Sequence, residues 1–202
     1  MIFEVFFFMS KIFNIIKIYN LNINTEEILN GLQNHSDFLQ YSHRINGRWE
    51  NQYLDIKYVP EIKIVFQKAC QLGKELIKKS LIVPNKSLGL DRDEFWFNSS
   101  KPGESTGWHD HKKGSILSAV FYLDVPRKSG DIRFRVKEHG EWIYHRIKSK
   151  NNNLILFDSN IEHSVSENKS KNIRISLAFN LFTLPLDIDH QVEDYSAKKF
   201  FT

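Results

Sequence analysis

From residue 94 onward, short apolar runs rich in aromatic and β-branched residues alternate with turn residues, which predicts strands over Glu94–Ser99, Ser115–Val125, Asp131–Lys137, Glu141–Lys148, Leu154–Phe157 and Ile173–Phe182. Lys101-Pro102-Gly103, Lys128-Ser129-Gly130 and Glu138-His139-Gly140 supply turns between them. The pattern before residue 88 differs. Asn24-Thr25-Glu26-Glu27 gives a capping candidate and an acidic first turn, so a helix over 25–34 is expected. Pro60 suits a first helical turn, and Ile62, Val65, Phe66, Ala69, Leu72, Leu76 and Ile77 follow at helical spacing. That helix should stop near Lys78-Lys79-Ser80, with Pro84 beyond it. Residues 35–58 are mixed and polar and predict no element, while Ile12–Ile18 predicts a strand lying on the core. Helices first and strands afterwards imply a mainly β chain with N-terminal helices (α+β), its strands forming an antiparallel sandwich or barrel braced on one side. The expected organisation is one domain over 1–202. Within it, 1–87 forms the strand and helical support, 88–185 the β core and 186–202 a C-terminal tail.

Composition narrows the class. The chain has 202 residues, 41% hydrophobic and 26% charged, as expected of a globular protein with a substantial core. Sixteen phenylalanines favour a β-rich core with aromatic packing. Cys70 is the single cysteine, which excludes an internal disulfide framework and a cysteine-based zinc cluster and points to the cytoplasm. The apolar run Met1–Met9 is too short to span a bilayer and lacks the marks of a signal peptide, so no membrane association is expected; Met9 would make the more ordinary start. Net charge is +4, and residues 101–150 hold 11 Lys+Arg against 6 Asp+Glu. Such a surplus is either a solvated face or an attraction for anionic small molecules. No basic stripe with interleaved aromatics runs along the sequence, so nucleic acid is not an expected partner.

The candidate chemistry lies in three separated pieces. In Trp108-His109-Asp110-His111, imidazoles at i and i+2 of a strand point to the same side. His163 follows 52 residues after His111, where an apolar strand, Leu154-Ile155-Leu156-Phe157, turns through Asp158-Ser159-Asn160 into the next strand. Arg174 and Ser176, 11 and 13 residues past His163, share parity with Asn180 and offer a guanidinium fork and a hydroxyl to a carboxylate. The set reads as a mononuclear iron site, His109, His111 and His163, with an acidic co-substrate. Asp110, adjacent to His109, would face the other way in a regular strand, and is an alternative ligand only if the strand bulges.

Trp-His-x-His before a strand ending Phe121-Tyr122-Leu123, then Leu-Phe-Asp-Ser-Asn-x-x-His-Ser-Val, then Arg-Ile-Ser-Leu-Ala-Phe-Asn resembles the 2-oxoglutarate/Fe(II)-dependent oxygenase superfamily. Within it, the chain most resembles bacterial and phage oxygenases whose first motif reads H-x-H. The resemblance spans about Phe95 to Phe182 and implies a double-stranded β-helix, the jelly roll also found in cupins. It further implies Fe(II) on His109 and His163, and 2-oxoglutarate held by Arg174 and Ser176, with Tyr122 and Asn98 as weaker candidates for co-substrate contacts. The superfamily more often has an aspartate where His111 stands. Dioxygen and a small-molecule or peptide substrate, anionic if the basic surplus serves the cleft, complete the implied reaction. Two alternatives stay open: a cupin-type metal enzyme that does not use 2-oxoglutarate, and a catalytically silent jelly-roll binding module.

Overall fold

A computed structural model describes residues 16–45, 48–111, 114–184 and 186. The expected N-terminal strand segment before Ile16, the question of Met1 or Met9, and all of the C-terminal tail but Leu186 lie outside the described residues.

In chain order the elements are β1 (Ile16–Asn20), α1 (Glu26–Asn34), β2 (Gln40–Ile45), β3 (Arg48–Tyr53), α2 (Ile62–Ile77), β4 (Leu81–Ile82), β5 (Phe95–Ser100), β6 (Thr106–His109), β7 (Leu117–Asp124), β8 (Ile132–Glu138), β9 (Glu141–Ile147), β10 (Asn153–Asp158), β11 (Glu162–Val165) and β12 (Arg174–Thr183). The strands form two antiparallel sheets. The larger runs β1-β10-β7-β12-β5-β3-β2, with β4 also on β12; the smaller runs β6-β11-β8-β9. Their facing surfaces make the jelly roll that the sequence resemblance implied.

Alternation along the central strands divides the large sheet into two chemistries. Phe95, Phe97, Leu117, Phe121, Leu177, Phe179 and Leu181 face the helices and form one core with Ile28, Ile62, Val65, Phe66 and Ala69. The opposite parity, Ile155, Phe157 and Tyr122, meets Ile132, Phe134 and Ile147 of the small sheet. Each fully buried side chain of this size contributes about 1.5–3 kcal/mol by burial, so the helix-facing core is the larger stabilising term.

The helices form where the periodicity placed them. At α1 the cap is Asn24, whose side chain accepts from the Glu26 N–H; the Thr25 side chain makes no capping bond. At the far end of α2, Lys78 adopts a left-handed conformation and its N–H returns to the Lys74 carbonyl. Gly73 lets α2 lie close on the sheet, because a Cβ there would meet Leu81 Cδ1 at 2.5 Å and Leu117 Cδ1 at 3.2 Å.

The sequence reading lacked the short β4 and the pair β2–β3. β2 and β3 pair antiparallel and extend the large sheet through the Gln52–Phe97 pair. These two strands are polar because they line and edge a cleft rather than cover a core.

Phe179 is fully buried, with its ring 5.0 Å from that of Phe66. Phe179→Ala should cost about 3–5 kcal/mol, read as a lower urea midpoint with an unchanged m-value. A loss below about 1 kcal/mol would mean that β12 is not the centre of the core.

Candidate metal centre and co-substrate pocket

A cleft of about 780 Å³ opens between the two sheets. From the small sheet it receives His109 and His163, which pair directly across β6 and β11. His111 completes the group. The ligating atoms of His109, His111 and His163 lie within 4.8 Å of one another, and among the described residues no carboxylate joins them. Ring centroids are 4.2 Å apart for His109–His163, 5.2 Å for His109–His111 and 5.1 Å for His111–His163.

The route by which His111 arrives corrects the strand-parity argument. β6 ends at His109, so His111 stands in the following loop. Its N–H donates to the Ser159 carbonyl at 2.9 Å, and the Ser115 hydroxyl donates to its carbonyl at 3.0 Å. The Ser159 hydroxyl lies 3.0 Å from the hydroxyls of both Ser115 and Ser118, and the Ser118 hydroxyl donates to the Asn180 side-chain carbonyl at 2.9 Å. Asn180 then donates to Glu94 at 3.0 Å. This serine network ties the loop to β7 and β12. The sequence reading missed it, although Ser159 stood in the Asp-Ser-Asn turn it had identified. The ring of Trp96, 5.6 Å from that of His111, supports the imidazole from the large sheet. Asp110 lies on the cleft wall but outside the cluster of ligating atoms.

Two of the imidazoles are already oriented. His109 Nδ1 lies 2.9 Å from the Gly107 carbonyl, and His163 Nδ1 lies 3.2 Å from the Ile161 carbonyl. A carbonyl only accepts, so each Nδ1 carries the proton and each Nε2 keeps its lone pair for a metal. Burial holds His163 well below the ordinary imidazole pKa, and His109 and His111 beside it act the same way. A neutral ring is the form that binds a metal. The donor set therefore fits a divalent ion: three nitrogen ligands converge, with room in the cleft beside them.

The large sheet supplies the other wall. Ser176 is paired with Asn98 on β5 and with Tyr122 on β7, so the three form one row across the sheet, all lining the cleft. Arg174, 2% exposed, lies one alternation further along, and its Nη1 donates to the Ser129 carbonyl at 2.9 Å. Gly130 makes that position accessible: with φ +96°, its missing Cβ leaves space that would otherwise bring it against the Ser166 carbonyl and within 2.9 Å of Arg174 Nη1. Burial pushes the Tyr122 phenol up, so it stays a neutral hydroxyl near neutral pH. Every residue expected at the site thus lines this one cleft. Trp108 does not; it packs outward against Tyr144 of β9. His145, on β9, and His35, stacked on Tyr58, take no part.

The comparisons agree with this geometry. Residues 94–180, from β5 to β12, match the sequence model of a family described as "Putative 2OG-Fe(II) oxygenase". No curated protein sequence matches the chain. Among solved structures, the chain is similar to the non-heme alpha ketoglutarate dependent carbocyclase SnoK of nogalamycin biosynthesis. The identity is 13%, the TM-score 0.63, and the alignment covers 93% of this chain and 91% of that one. The epimerase SnoN of the same biosynthesis aligns at 12% identity and TM-score 0.61, over 87% and 83% of the two chains. A prolyl hydroxylase from Trichoplax adhaerens, solved with a hypoxia inducible factor peptide fragment, aligns at 16% identity and TM-score 0.57, over 84% of each. At these identities the structural likenesses speak for the fold. The family match covers the strands that bear the site, and the histidine cluster lies within it, so the fold and site are similar to those of the Fe(II)- and 2-oxoglutarate-dependent oxygenases.

Two outcomes test the metal centre. His163→Ala should abolish stabilisation by Mn(II) in a thermal-shift assay, whereas Asp110→Ala should retain most of it. Loss with Asp110→Ala and retention with His111→Ala would reassign the third ligand. In the metal-free protein, the lowered pKa of His163 means that the unfolded chain takes up its proton first. Its contribution to stability is therefore complete above about pH 6.5 and lost as pH falls from there toward the folded-state pKa. Urea midpoints measured between pH 8 and pH 5 should decline for wild type and decline less for His163→Phe.

Proposed function

We propose that His109, His111 and His163 hold Fe(II) through their Nε2 atoms, and that Arg174 and Ser176 bind the distal carboxylate of 2-oxoglutarate. Tyr122 and Asn98 stand beside that carboxylate as further hydrogen-bonding groups. The observation that carries this reading is one cleft with a three-imidazole cluster on one wall and a buried arginine–serine pair on the other. When bound, Fe(II) with 2-oxoglutarate and dioxygen supplies an oxidant that removes hydrogen from a substrate C–H bond, with succinate and CO2 as co-products. The chain's own contribution is positional. The two carbonyls on His109 and His163 fix the direction of their lone pairs, and the serine network fixes the loop that carries His111. The planar Arg174 guanidinium sets the angle at which a carboxylate enters.

The substrate is a small molecule or a peptide side chain, taken in the cleft, whose lining includes Tyr41, Asn51 and Tyr53 of the β2–β3 pair together with Asp91 and Asp93. Much of the basic surplus in residues 101–150 lies outside the cleft lining: Arg133, Arg135, Lys137 and Arg146 are on β8 and β9, at alternate positions to the inward Ile132 and Phe134. The argument for an anionic substrate therefore narrows to the co-substrate. No helix among the described residues is long and apolar enough to cross a membrane. The single cysteine supports a reducing compartment, the cytoplasm.

The deciding experiment is uncoupled turnover. Wild-type protein with Fe(II) should slowly convert 2-oxoglutarate to succinate without added substrate. Arg174→Lys should lower this by about 10-fold or more, because lysine keeps the charge but cannot reproduce two parallel hydrogen bonds. Metal binding with neither succinate formation nor 2-oxoglutarate affinity would instead support a silent jelly-roll module.

A further inference from the structure

The outer face of the small sheet carries a second chemistry that the oxygenase reading does not use. Register places Arg133 opposite Arg146, Arg135 opposite Tyr144 and Lys137 opposite Trp142. Trp108, from β6, comes to the same face: the Arg135 guanidinium lies 4.5 Å from its ring and 4.2 Å from that of Trp142, and Arg133 lies 5.3 Å from Trp108. Trp142 is 42% exposed and Tyr144 60%. The basic stripe with interleaved aromatics that is missing from the linear sequence is thus assembled by cross-strand pairing.

Part of this charge is already met within the fold. Arg135 pairs with Glu162, and Arg146 with Asp131. Arg133 and Lys137 have no ion-pair partner among the described residues, and Arg133 Nε is buried with no hydrogen-bond partner. Two arginines directly opposite each other on a sheet disfavour folding, and a buried unsatisfied donor adds a further cost. An anion laid across β8 and β9 would relieve the first.

We infer that this face binds single-stranded nucleic acid. Alternate residues of β8 put Arg133, Arg135 and Lys137 about 7 Å apart along the strand, a repeat suited to the phosphates of an extended chain. The exposed faces of Trp142 and Tyr144 are platforms on which bases stack without regard to sequence. A duplex keeps its bases stacked internally and would leave the Trp142 and Tyr144 faces unused. An acidic peptide would meet the cations and leave the aromatic faces unused. The surface lies on the opposite side of the small sheet from the histidines, so the inference stands apart from the oxygenase reading and the two can fail separately.

The experiment is fluorescence anisotropy of the full-length protein with short labelled single-stranded DNA and RNA, the matching duplex, and poly-glutamate. Single strands should bind about 10-fold more tightly than the duplex or poly-glutamate, with affinity falling as salt rises. Trp142→Ala/Tyr144→Ala should weaken binding about 10-fold, and Arg133→Gln should reduce the salt slope by about one. Far-UV circular dichroism and the thermal midpoint should stay unchanged in these variants, which reports that they fold whatever their turnover; Tyr144→Ala alone repeats the test at the most exposed ring. Equal affinity for single strand and duplex, equal binding of poly-glutamate, or wild-type affinity in the aromatic variants would overturn the inference.

Discussion

The parity of β12 is the constraint on which the rest of the molecule depends. Leu177, Phe179 and Leu181 point to the helices and are fully buried there. Their alternates, Arg174, Ser176 and Asn180, therefore face the cleft. A slip of one residue would exchange the two sets, placing a guanidinium among phenylalanines and leucines against the cleft. The apolar face thus fixes the polar one: the energy that secures the register comes from hydrophobic burial against α2, while the chemistry it positions contributes little to stability. β12 can carry a buried cation because strands on both sides hold it. β5 and β7 pair with it along most of its length, and the Ser129 carbonyl receives Arg174 where the β7 pairing shifts.

Electrostatics divide the cleft in a complementary way. On the histidine wall, burial and the neighbouring His109 and His111 disfavour protonation of His163. The opposite wall carries the permanent charge of Arg174. A ligand with one carboxylate for the arginine and an oxygen-rich end for a metal matches both walls at once. A monoanion without that second end matches only one. Three imidazoles would leave the charge of a divalent ion less compensated than two imidazoles and a carboxylate. On the proposed site, an anionic chelating ligand would then take a larger share in holding the metal, and the affinities of metal and co-substrate would be coupled.

Much of this was legible in the sequence, for identifiable reasons. The six strands expected after residue 94 all occur, because each is flanked by Gly, Pro or Asn-rich turns and buried on at least one face. The convergence of His109, His111 and His163 was also legible, but the reason given for His111 was incomplete. Strand parity cannot act on a residue beyond the strand's end; the Ser159 carbonyl and the Ser115 hydroxyl do that work through contacts 48 and 4 residues away. The β2–β3 pair was illegible because its strands owe their pairing to a neighbour, β5, rather than to an apolar face of their own. Propensity read along one segment cannot register a partner more than 40 residues distant.

The small sheet repeats the logic of β12 at a finer scale. On β6, Trp108 and His109 are neighbours in sequence and lie on opposite faces, one against Arg135 and the other against His163. On β8, Phe134 packs near His163 while Arg133 and Arg135 face outward. The pairing of β11 with β6 shifts between His163 and Val165. An irregularity there ends the strict register immediately beyond the His109–His163 pair, so that pair is set by the last regular step of the ladder. Four short strands thereby separate two surfaces by the thickness of one sheet. Imidazoles line the cleft side, and cations stacked on indoles cover the solvent side. Neither surface could move by one residue without destroying the other.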